Sequence, residues 1–393
     1  MTPAARLQAA IELLDEVIVA ARTGGAAADT IVARYFKTRR YAGSKDRRAV
    51  RDLLYAAIRR AGDVPANGRA GLIGLAAGEP ELAALFDGSA RGPAPIAADE
   101  APTPAGVAPA WLVEKLAATL DADELPALLA RAPLDLRVNR LKAEREAVLP
   151  LFEGATLGAL ARDALRLPEG TQVERHPAFL DGRVEVQDEG SQLIAAACAA
   201  RPGMTVVDLC AGAGGKTLAL AADMGNAGRL IACDIDRARL QRLPPRAERA
   251  GAAIETRLLD GGREAAGLAD LRGQADVVLV DAPCSGTGTW RRNPEARWRL
   301  TPQRLDRLRA TQAQVLALAA DLVRPGGRLV YAVCSLLDDE GRGQAEAFLA
   351  ARPGWRALPP PVAAGRPHGP GLRLTPAHDG VDGFFIAAFA PIC

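Results

Sequence analysis

Apolar side chains recur at every third or fourth position through the first part of the chain. Leu7, Ile11 and Leu14 show this spacing, which continues to about residue 76 and predicts a series of amphipathic helices. A polar, proline-rich stretch follows at 87–109 and holds few large apolar residues, so it predicts a linker. The pattern therefore indicates a helical domain over residues 1–86.

The hydrophobic pattern changes after residue 200. Short apolar runs end in an acidic residue and a helical stretch follows each run; the acidic residues are Asp208, Asp234, Asp260 and Asp281. Strands that alternate with helices predict a mostly parallel, doubly wound α/β sheet with helices on both faces over 201–393. Residues 110–200 mix short helical and strand-like patterns and predict a small α+β module.

The composition excludes several classes of protein. An apolar fraction of 49% with 24% charged residues is usual for a globular chain, and no stretch reaches the roughly 18 uncharged apolar residues of a membrane helix. Glu12 and Asp15 interrupt the apolar N-terminal run, so we expect no signal peptide and a cytoplasmic protein. The six cysteines lack C-x-x-C spacing, which predicts free thiols and neither a zinc site nor disulfides. The net charge of +2 identifies no partner.

A glycine-rich turn, DLCAGAGGKT at 208–217, joins the first strand of the sheet to a helix. Backbone N–H groups at such a helix start suit a nucleotide-like ligand, although a tight turn without a ligand has the same residues. A P-loop would need glycine in place of Cys210, and the glycines here do not keep the dehydrogenase spacing G-x-G-x-x-G. The remaining prediction is an adenosine site without a pyrophosphate cradle, in which Asp234 holds the ribose and Asp260 reaches the adenine.

Two cysteines directly follow neighbouring predicted strands. Cys284 lies in DAPCSGTG after the fourth strand, and Cys334 lies in YAVCS after the fifth. Because the carboxyl ends of adjacent parallel strands meet at one edge of a sheet, both thiols are expected to converge on the cofactor crevice. A free cysteine is more often a small buried hydrophobe, and we predict that state for Cys198, Cys233 and Cys393.

The motifs DLCAGAGGKT, ACDID, LLDG, DAPCSGTGTWRRNPEARW and YAVCS, in this order, resemble the RNA cytosine-C5 methyltransferase family. This is the Nop/Sun group, which includes the bacterial enzyme that acts on 16S ribosomal RNA. The resemblance runs from about Pro109 to the C-terminus, and it implies a class I S-adenosylmethionine-dependent methyltransferase fold, with S-adenosyl-L-methionine as cofactor. The chain departs from the family at Gly212–Ala213, where Ala-Pro is more common, and at Val333, where Thr is more common.

The resemblance also implies a role for each site residue. Cys334 would be the nucleophile that adds to carbon 6 of cytosine, and Cys284 would assist release of the enzyme. Asp281 would hold the ring at N3, and Lys216 would organise this polar centre. The implied cofactor-binding residues are Cys210, Ala211, Gly212, Ala213, Gly214, Gly215, Lys216, Asp234, Asp260 and Asp281.

Two basic segments are predicted to contact RNA phosphates. The first spans 37–48, and the second combines arginines with tryptophans: Trp290, Arg291, Arg292, Arg297, Trp298 and Arg299. Arginine beside aromatic rings suits phosphate binding and base stacking, whereas a solvated basic face is the alternative for both segments. The helical front weakly resembles, in shortened form, the NusB-like RNA-binding domain of the bacterial 16S enzymes, and 110–200 occupies the place of the family's RNA-recognition-motif-like domain.

RNA is the expected partner, and the helical front favours ribosomal RNA, with transfer RNA as the close alternative. A non-catalytic RNA-binding assembly factor on the same fold would be favoured if either Cys284 or Cys334 were replaced, but both are present. A methyltransferase for small molecules or protein side chains would not need the paired cysteines. We expect no metal, no membrane contact and a monomer.

Overall fold

The computed structural model describes residues 1–392, which form two compact units. The first unit contains Met1–Arg131 together with Thr289–Thr301, and the second contains Ala132–Gly288 and the chain from Pro302 onward. The chain therefore leaves the second unit after Gly288, contributes one short segment to the first unit, and returns at Pro302.

The first unit is helical. Its helices are α1 (Pro3–Thr23), α2 (Ala28–Thr38), α3 (Ser44–Arg60), α4 (Gly68–Ala76), α5 (Pro80–Ala83), α6 (Ala110–Ala117) and α7 (Glu124–Ala127). The side chain of Thr2 caps α1 by accepting the N–H of Ala5, and Gly24 ends α1 with a left-handed φ of 73°. Leu7 and Leu14, on the apolar stripe of α1, lie in a core shared with α2, α3 and α4.

The stretch 87–109, predicted to be a linker, instead packs on the helices of the first unit. Arg60 Nη1 donates to the carbonyl of Thr103 at 2.7 Å, and the N–H of Thr103 donates to the carbonyl of Ala70 at 3.0 Å. Arg69 forms an ion pair with Glu100 at 2.5 Å. Hydrogen bonds thus hold a stretch that has few apolar side chains, and the first unit continues to Arg131.

The segment Thr289–Thr301 is part of the helical unit because its charged side chains bind helix ends. Glu295 accepts a hydrogen bond from the N–H of Ala28, the first residue of α2, at 3.0 Å. Arg297 donates to the carbonyl of Ile58 in the last turn of α3 at 2.5 Å. Helix ends carry unpaired N–H and C=O groups with partial charges of opposite sign, so each side chain meets the end that suits its charge.

The prediction that this segment stacks on and binds RNA is wrong for its largest side chains. Trp290 and Arg297 are completely buried, and Trp298 is 6% exposed and belongs to the helical core. Arg299 donates to the carbonyl of Ala26, between α1 and α2, at 2.7 Å. Arg297 and Arg299 bind backbone carbonyls of the same unit and both tryptophans are buried, so these side chains do not offer a surface for nucleotides.

The second unit begins with a four-stranded antiparallel sheet in the order β2-β3-β1-β4. Its strands and short helices are β1 (Leu134–Val138), α8 (Arg145–Val148), β2 (Thr156–Leu157), β3 (Ala164–Leu167), α9 (Pro177–Leu180) and β4 (Val184–Val186). Leu136, Leu165 and Val184 form its own small core. The helix α10 (Glu189–Ala197) follows and leads into the larger sheet.

The larger sheet has nine strands. They are β5 (Thr205–Asp208), β6 (Arg229–Asp234), β7 (Glu255–Leu258), β8 (Ala275–Asp281), β9 (Val323–Val333), β10 (Trp355–Leu358), β11 (Arg366–His368), β12 (Gly371–Leu374) and β13 (Phe384–Pro391). The order is β11-β12-β13-β9-β8-β5-β6-β7, and β10 pairs with β13. Strands β5 to β9 pair in parallel and β13 lies antiparallel to β9, which confirms the predicted mostly parallel α/β sheet.

Helices connect the strands of this sheet. They are α11 (Gly215–Met224), α12 (Arg237–Leu240), α13 (Leu243–Ala250), α14 (Glu264–Gly267), α15 (Pro302–Leu322), α16 (Arg342–Ala351) and α17 (Pro376–Asp379). The central strands β5, β8 and β9 are buried on both faces, as expected for continuous apolar runs. Strand order reverses between β5 and β8, which is where ligands bind in open α/β sheets.

One strand end differs from its prediction. The third parallel strand was expected to close on Asp260, but β7 ends at Leu258 because its pairing with β6 stops where Leu258 meets Asp234. Asp260 lies two residues further on and is exposed. Among the residues described, no helix has both the length and the apolar character needed to cross a membrane.

Candidate active site

The glycine-rich turn between β5 and α11 depends on glycine at two positions. Gly212 and Gly214 have φ values of 56° and 83°, in the left-handed region that side-chain-bearing residues avoid. A Cβ on Gly214 would lie 2.1 Å from Leu243 Cδ1, so this residue must also be glycine for space. Gly214 caps α11, and the N–H groups of the first turn of that helix have no intrahelical acceptors.

Asp234 shapes this turn from the end of β6. Its carboxylate accepts the N–H of Gly212 at 2.7 Å through Oδ2 and the N–H of Asp236 at 2.7 Å through Oδ1. The side chain is buried, so these bonds anchor the glycine turn to the second strand. The N–H of Leu259 donates to the Asp234 carbonyl at 2.9 Å, which places the exposed Asp260 just beyond the same strand end.

Asp208, at the end of β5, is a polar site residue that was not among the predicted cofactor-binding residues. Its carboxyl group is fully buried, and Oδ2 accepts the hydroxyl of Thr217 at 2.7 Å. Oδ1 has no hydrogen-bond partner within the described chain. Burial raises the pKa of Asp208 to about 7, although the Thr217 hydrogen bond opposes this rise. A sequence signal existed, since Asp208 was one of the acidic strand ends.

Lys216 and Asp281 form an ion pair across the site. Lys216 Nζ lies 2.7 Å from Asp281 Oδ2, which joins the first turn of α11 to the end of β8. Burial disfavours the ammonium group, but the attraction of Asp281 outweighs it and raises the pKa of Lys216. Asp281 pairs across β8 and β9 with Ala332, two residues before Cys334, so the ion pair lies at the same edge of the sheet as the second cysteine.

The two predicted cysteines are in contact. Cys284 Sγ lies 3.3 Å from Cys334 Sγ, and both side chains are partly exposed. The hydrogen bond to Cys334, together with burial, raises the pKa of Cys284. Either thiol could donate in this contact, and the raised pKa favours Cys284 as the protonated partner.

Close backbone contacts hold the two cysteine loops together. The N–H of Gly288 donates to the Cys334 carbonyl at 3.0 Å, and the N–H of Gly383 donates to the Gly288 carbonyl at 2.8 Å. A Cβ on Gly288 would lie 2.0 Å from the oxygen of Gly383. Only glycine allows this approach, which brings the loop after β8 against the loop after β9.

The other cysteine thiols that the structure describes are buried. Cys198 and Cys233 are completely buried, as predicted for small hydrophobes, and burial raises the pKa of Cys233 to about 12. Cys210, in the glycine turn, is partly exposed as a residue, and burial of its thiol raises its pKa. Cys393 lies outside the described residues. No group of side chains suited to a metal ion occurs among residues 1–392.

The basic segment 37–48 of the helical unit is mostly exposed. Lys37, Arg40 and Arg48 face solvent, and Tyr41 is 70% exposed between them. Arg39 instead lies over the ring of Tyr35 at 3.5 Å from its centroid. An exposed aromatic ring among cationic side chains is a suitable surface for single-stranded RNA.

Comparison with known proteins agrees with this geometry. Residues 195–390 match the family described as 16S rRNA methyltransferase RsmB/F. Ribosomal RNA small subunit methyltransferase B of Sodalis glossinidius is 37% identical over 286 residues, which make up 71% of this chain and 64% of that protein. The chain thus spans less than two thirds of the length of this curated relative.

Solved structures share the fold. The protein in the crystal structure of PH0851 is 24% identical in sequence to this chain and superposes on it with a TM-score of 0.77. The match covers 99% of each chain. A methyltransferase homolog protein from Pyrococcus horikoshii is 25% identical with a TM-score of 0.62, over 71% of this chain and 94% of that one. The predicted class I S-adenosylmethionine-dependent methyltransferase fold is confirmed.

Proposed function

Because the chain belongs to the 16S rRNA methyltransferase RsmB/F family, we propose that it methylates carbon 5 of a cytosine in small-subunit ribosomal RNA. The observation that carries this proposal is the contact between Cys284 and Cys334 at adjacent strand ends. Carbon 5 of cytosine is a poor nucleophile, and a thiol that adds to carbon 6 makes it reactive. A methyltransferase that acts on oxygen or nitrogen has no need of such a pair.

The site suits S-adenosylmethionine, which supplies an electrophilic methyl group when bound. This cofactor carries two positive charges, on the sulfonium and the ammonium groups. Three carboxyl groups, from Asp208, Asp234 and Asp281, end the strands β5, β6 and β8, and one ammonium group, from Lys216, pairs with Asp281. Asp208 Oδ1 is a buried acceptor without a donor, as a site for a cationic ligand requires. Asp234 and the turn Cys210–Lys216 would hold the ribose and the methionine portion, and Asp260 would reach the adenine.

Cys334 acts as the nucleophile in this proposal. In this proposal Cys334 attacks as a thiolate, and the Cys284 thiol donates a hydrogen bond to its sulfur. Attack of this thiolate on carbon 6 forms a sulfur–carbon bond, and the electron pair of the 5,6 double bond moves toward carbon 5 and N3. Asp281, which can take a proton from its partner Lys216, would hold the ring at N3 and donate that proton there, and would take it back when carbon 5 accepts the methyl group.

The adduct must then break down. Carbon 5 takes the methyl group, and the proton that carbon 5 still carries leaves to a base. The 5,6 double bond re-forms as the sulfur–carbon 6 bond breaks, which returns Cys334 as a thiolate. The Cys284 thiol touches the Cys334 sulfur, so its hydrogen bond would stabilise the departing thiolate and assist release, while water takes the carbon 5 proton.

The test uses the full chain with radiolabelled S-adenosylmethionine and three substrates: 16S rRNA transcript, small ribosomal subunits and bulk transfer RNA. Cys334→Ala should abolish methylation. Cys284→Ala should accumulate a protein–RNA adduct that survives denaturing electrophoresis. Cys198→Ala, at a buried cysteine that the proposed reaction does not use, is the matched control and should remain active.

Each outcome decides a separate part of the proposal. Full activity of Cys334→Ala, or no adduct on any RNA, would reject the covalent mechanism. If only transfer RNA were methylated, the proposal of a ribosomal RNA substrate would be rejected, whereas the proposal of an RNA methyltransferase would stand. Bisulfite sequencing of the labelled RNA identifies the base, and a product other than 5-methylcytosine would reject the reaction.

A further inference from the structure

A buried carboxylate binds the residues that directly follow the two cysteines, and it has no role in the reaction described above. Glu340 is in the loop between β9 and α16, and its side chain is completely buried. It lies six residues after Cys334, in a stretch that the sequence motifs did not single out. Its backbone is fixed independently, since the Tyr331 hydroxyl donates to the Glu340 carbonyl at 2.6 Å.

Four donors converge on the Glu340 carboxylate. Oε1 accepts the N–H of Ser285 at 2.9 Å and Gln312 Nε2 at 3.0 Å. Oε2 accepts the hydroxyl of Ser335 at 2.6 Å and that of Ser285 in a shorter contact. Four donors fill the acceptor sites that a carboxylate offers, so the hydrogen bonding of this buried group is satisfied.

The hydroxyl groups around Glu340 also contact one another. Ser285 and Ser335 each donate to Glu340, and their hydroxyl oxygens lie 3.1 Å apart. The Ser335 oxygen lies 3.1 Å from the Thr287 hydroxyl and accepts the N–H of Leu337 at 3.2 Å. The carboxylate and the hydroxyl groups thus form one connected buried network.

The partners of Glu340 are the residues next to the two thiols. Ser285 follows Cys284 in the loop after β8, and Ser335 follows Cys334 in the loop after β9. The Glu340 carboxylate therefore holds the loop after β8 and the loop after β9 together. Gln312 of α15 adds a third anchor, since its Nε2 also donates to the carbonyl of Pro283 at 2.9 Å.

We infer that Glu340 is a positioning residue that sets the distance between the Cys284 and Cys334 sulfurs through Ser285 and Ser335. This inference rests on the proposed function, because the spacing of the thiols matters only if one attacks the base and the other assists release. Glu340 touches neither sulfur, and it acts on both through the backbone of their neighbours. A shift of about 1 Å at a reacting group can cost about 100-fold in rate, which makes such control of spacing valuable.

The variant Glu340→Gln tests this role with little change in volume. A glutamine amide would present two N–H donors to a cluster in which both serine protons already point inward. At least one serine must then rotate and lose its bond, so the loops separate while the surrounding packing remains. The matched control is Glu346→Gln on α16, where an exposed carboxylate pairs only with Arg342.

The first readout is kinetic. Glu340→Gln should lower kcat for RNA methylation by about 10- to 100-fold, while KM for S-adenosylmethionine changes by less than about twofold. Glu346→Gln should match the wild-type chain in both constants. Ser335→Ala, which removes one donor and little volume, should reproduce part of the loss; if Glu340→Gln fails to fold, Ser335→Ala carries the test.

The second readout measures the thiol spacing without any catalysis. Diamide oxidises two neighbouring thiols to a disulfide by taking up both hydrogens as it becomes the hydrazine, and peptide mass spectrometry detects a Cys284–Cys334 link. The wild-type chain and Glu346→Gln should form this link rapidly, and Glu340→Gln should form it at least about 10-fold more slowly, since the sulfurs must be in contact to react.

The two readouts separate the two claims. An unchanged rate of disulfide formation in Glu340→Gln and Ser335→Ala, or unchanged kcat in both, would overturn the positioning role. A wild-type chain that methylates no RNA would reject the proposed function, and the diamide rates would still decide whether Glu340 holds the thiols together.

Discussion

Replacing Arg297 by alanine should destabilise the helical unit, because this side chain joins the segment Thr289–Thr301 to α3. Its guanidinium is completely buried and donates to the carbonyls of Ile58 at 2.5 Å and Ala61 at 2.8 Å, with Arg59 at 3.1 Å. These oxygens lie at the end of α3, where a cation also meets the negative end of the helix dipole.

Opposing effects set the size of the change. Ala61 keeps a second donor, since Trp298 Nε1 lies 3.3 Å from its oxygen, so Ile58, Arg59 and Pro294 are the carbonyls that lose the guanidinium without this replacement. A buried acceptor without a donor costs about 1–3 kcal/mol, and loss of the stem leaves a cavity. Burial lowers the pKa of Arg297 to about 9, which shows that the charge itself is desolvated and that its removal returns part of the loss. We expect a net loss of about 3 kcal/mol in the free energy of unfolding.

Tryptophan fluorescence during urea unfolding measures this change. Trp111, Trp290 and Trp298 lie in the first unit and Trp355 in the second, so the signal reports mainly on the helical unit. Arg40→Ala, an exposed arginine of the same unit, is the control and should change stability by less than about 0.5 kcal/mol. A loss below about 1 kcal/mol for Arg297→Ala would show that the helix-end bonds do not hold the segment.

Two further predictions concern the second unit. Asp208 has a pKa of about 7 when folded against an ordinary 3.8, so its contribution to stability is full below about pH 4 and is lost as pH rises to about 7. The free energy of unfolding of the wild-type chain should therefore fall between pH 5 and pH 8, and in Asp208→Asn this fall should be smaller by on the order of 2 kcal/mol. Urea unfolding of the wild-type chain and the variant at both pH values measures the difference. The same pH dependence in the two chains would contradict the raised pKa of Asp208. Gly288→Ala places a Cβ 2.0 Å from the Gly383 oxygen. In the Cys284→Ala background it should slow adduct formation by about 10-fold or more. Gly261→Ala, which has open space around its Cβ, is the control and should leave the rate unchanged, and equal rates for the two variants would refute the close approach of the loops.

The main features of the fold could be predicted because they depend on local pattern. Leu7 and Leu14 recur with the helical period and are buried together, and the apolar runs before Cys284 and Cys334 became neighbouring parallel strands. Parallel strands end at the same edge of a sheet, so two cysteines that each follow such a strand had to come close together. The glycine turn was equally local, since left-handed backbone at Gly214 excludes other residues.

Other predictions failed where the same local pattern fits two environments. The polar stretch 87–109 has the composition of a linker, yet its backbone is bound by Arg60 and its acidic Glu100 by Arg69. The arginines near Trp290 have the composition of an RNA-binding loop, yet Arg297 points inward. The composition of a segment shows how polar it is, but it does not show which groups its side chains contact in the folded protein.

The sequence by itself therefore determined the helical and strand periods, the glycine turn and the placement of both thiols at strand ends. Only the tertiary structure decided that Thr289–Thr301 belongs to the helical unit, that Asp208 is buried without a full set of donors, and that Glu340 binds both cysteine loops. The physical reason is the distance along the chain: Arg297 and Ile58 are separated by 239 positions and Glu340 and Ser285 by 55. Whether a charged side chain faces solvent or a buried partner depends on groups that folding alone brings to it.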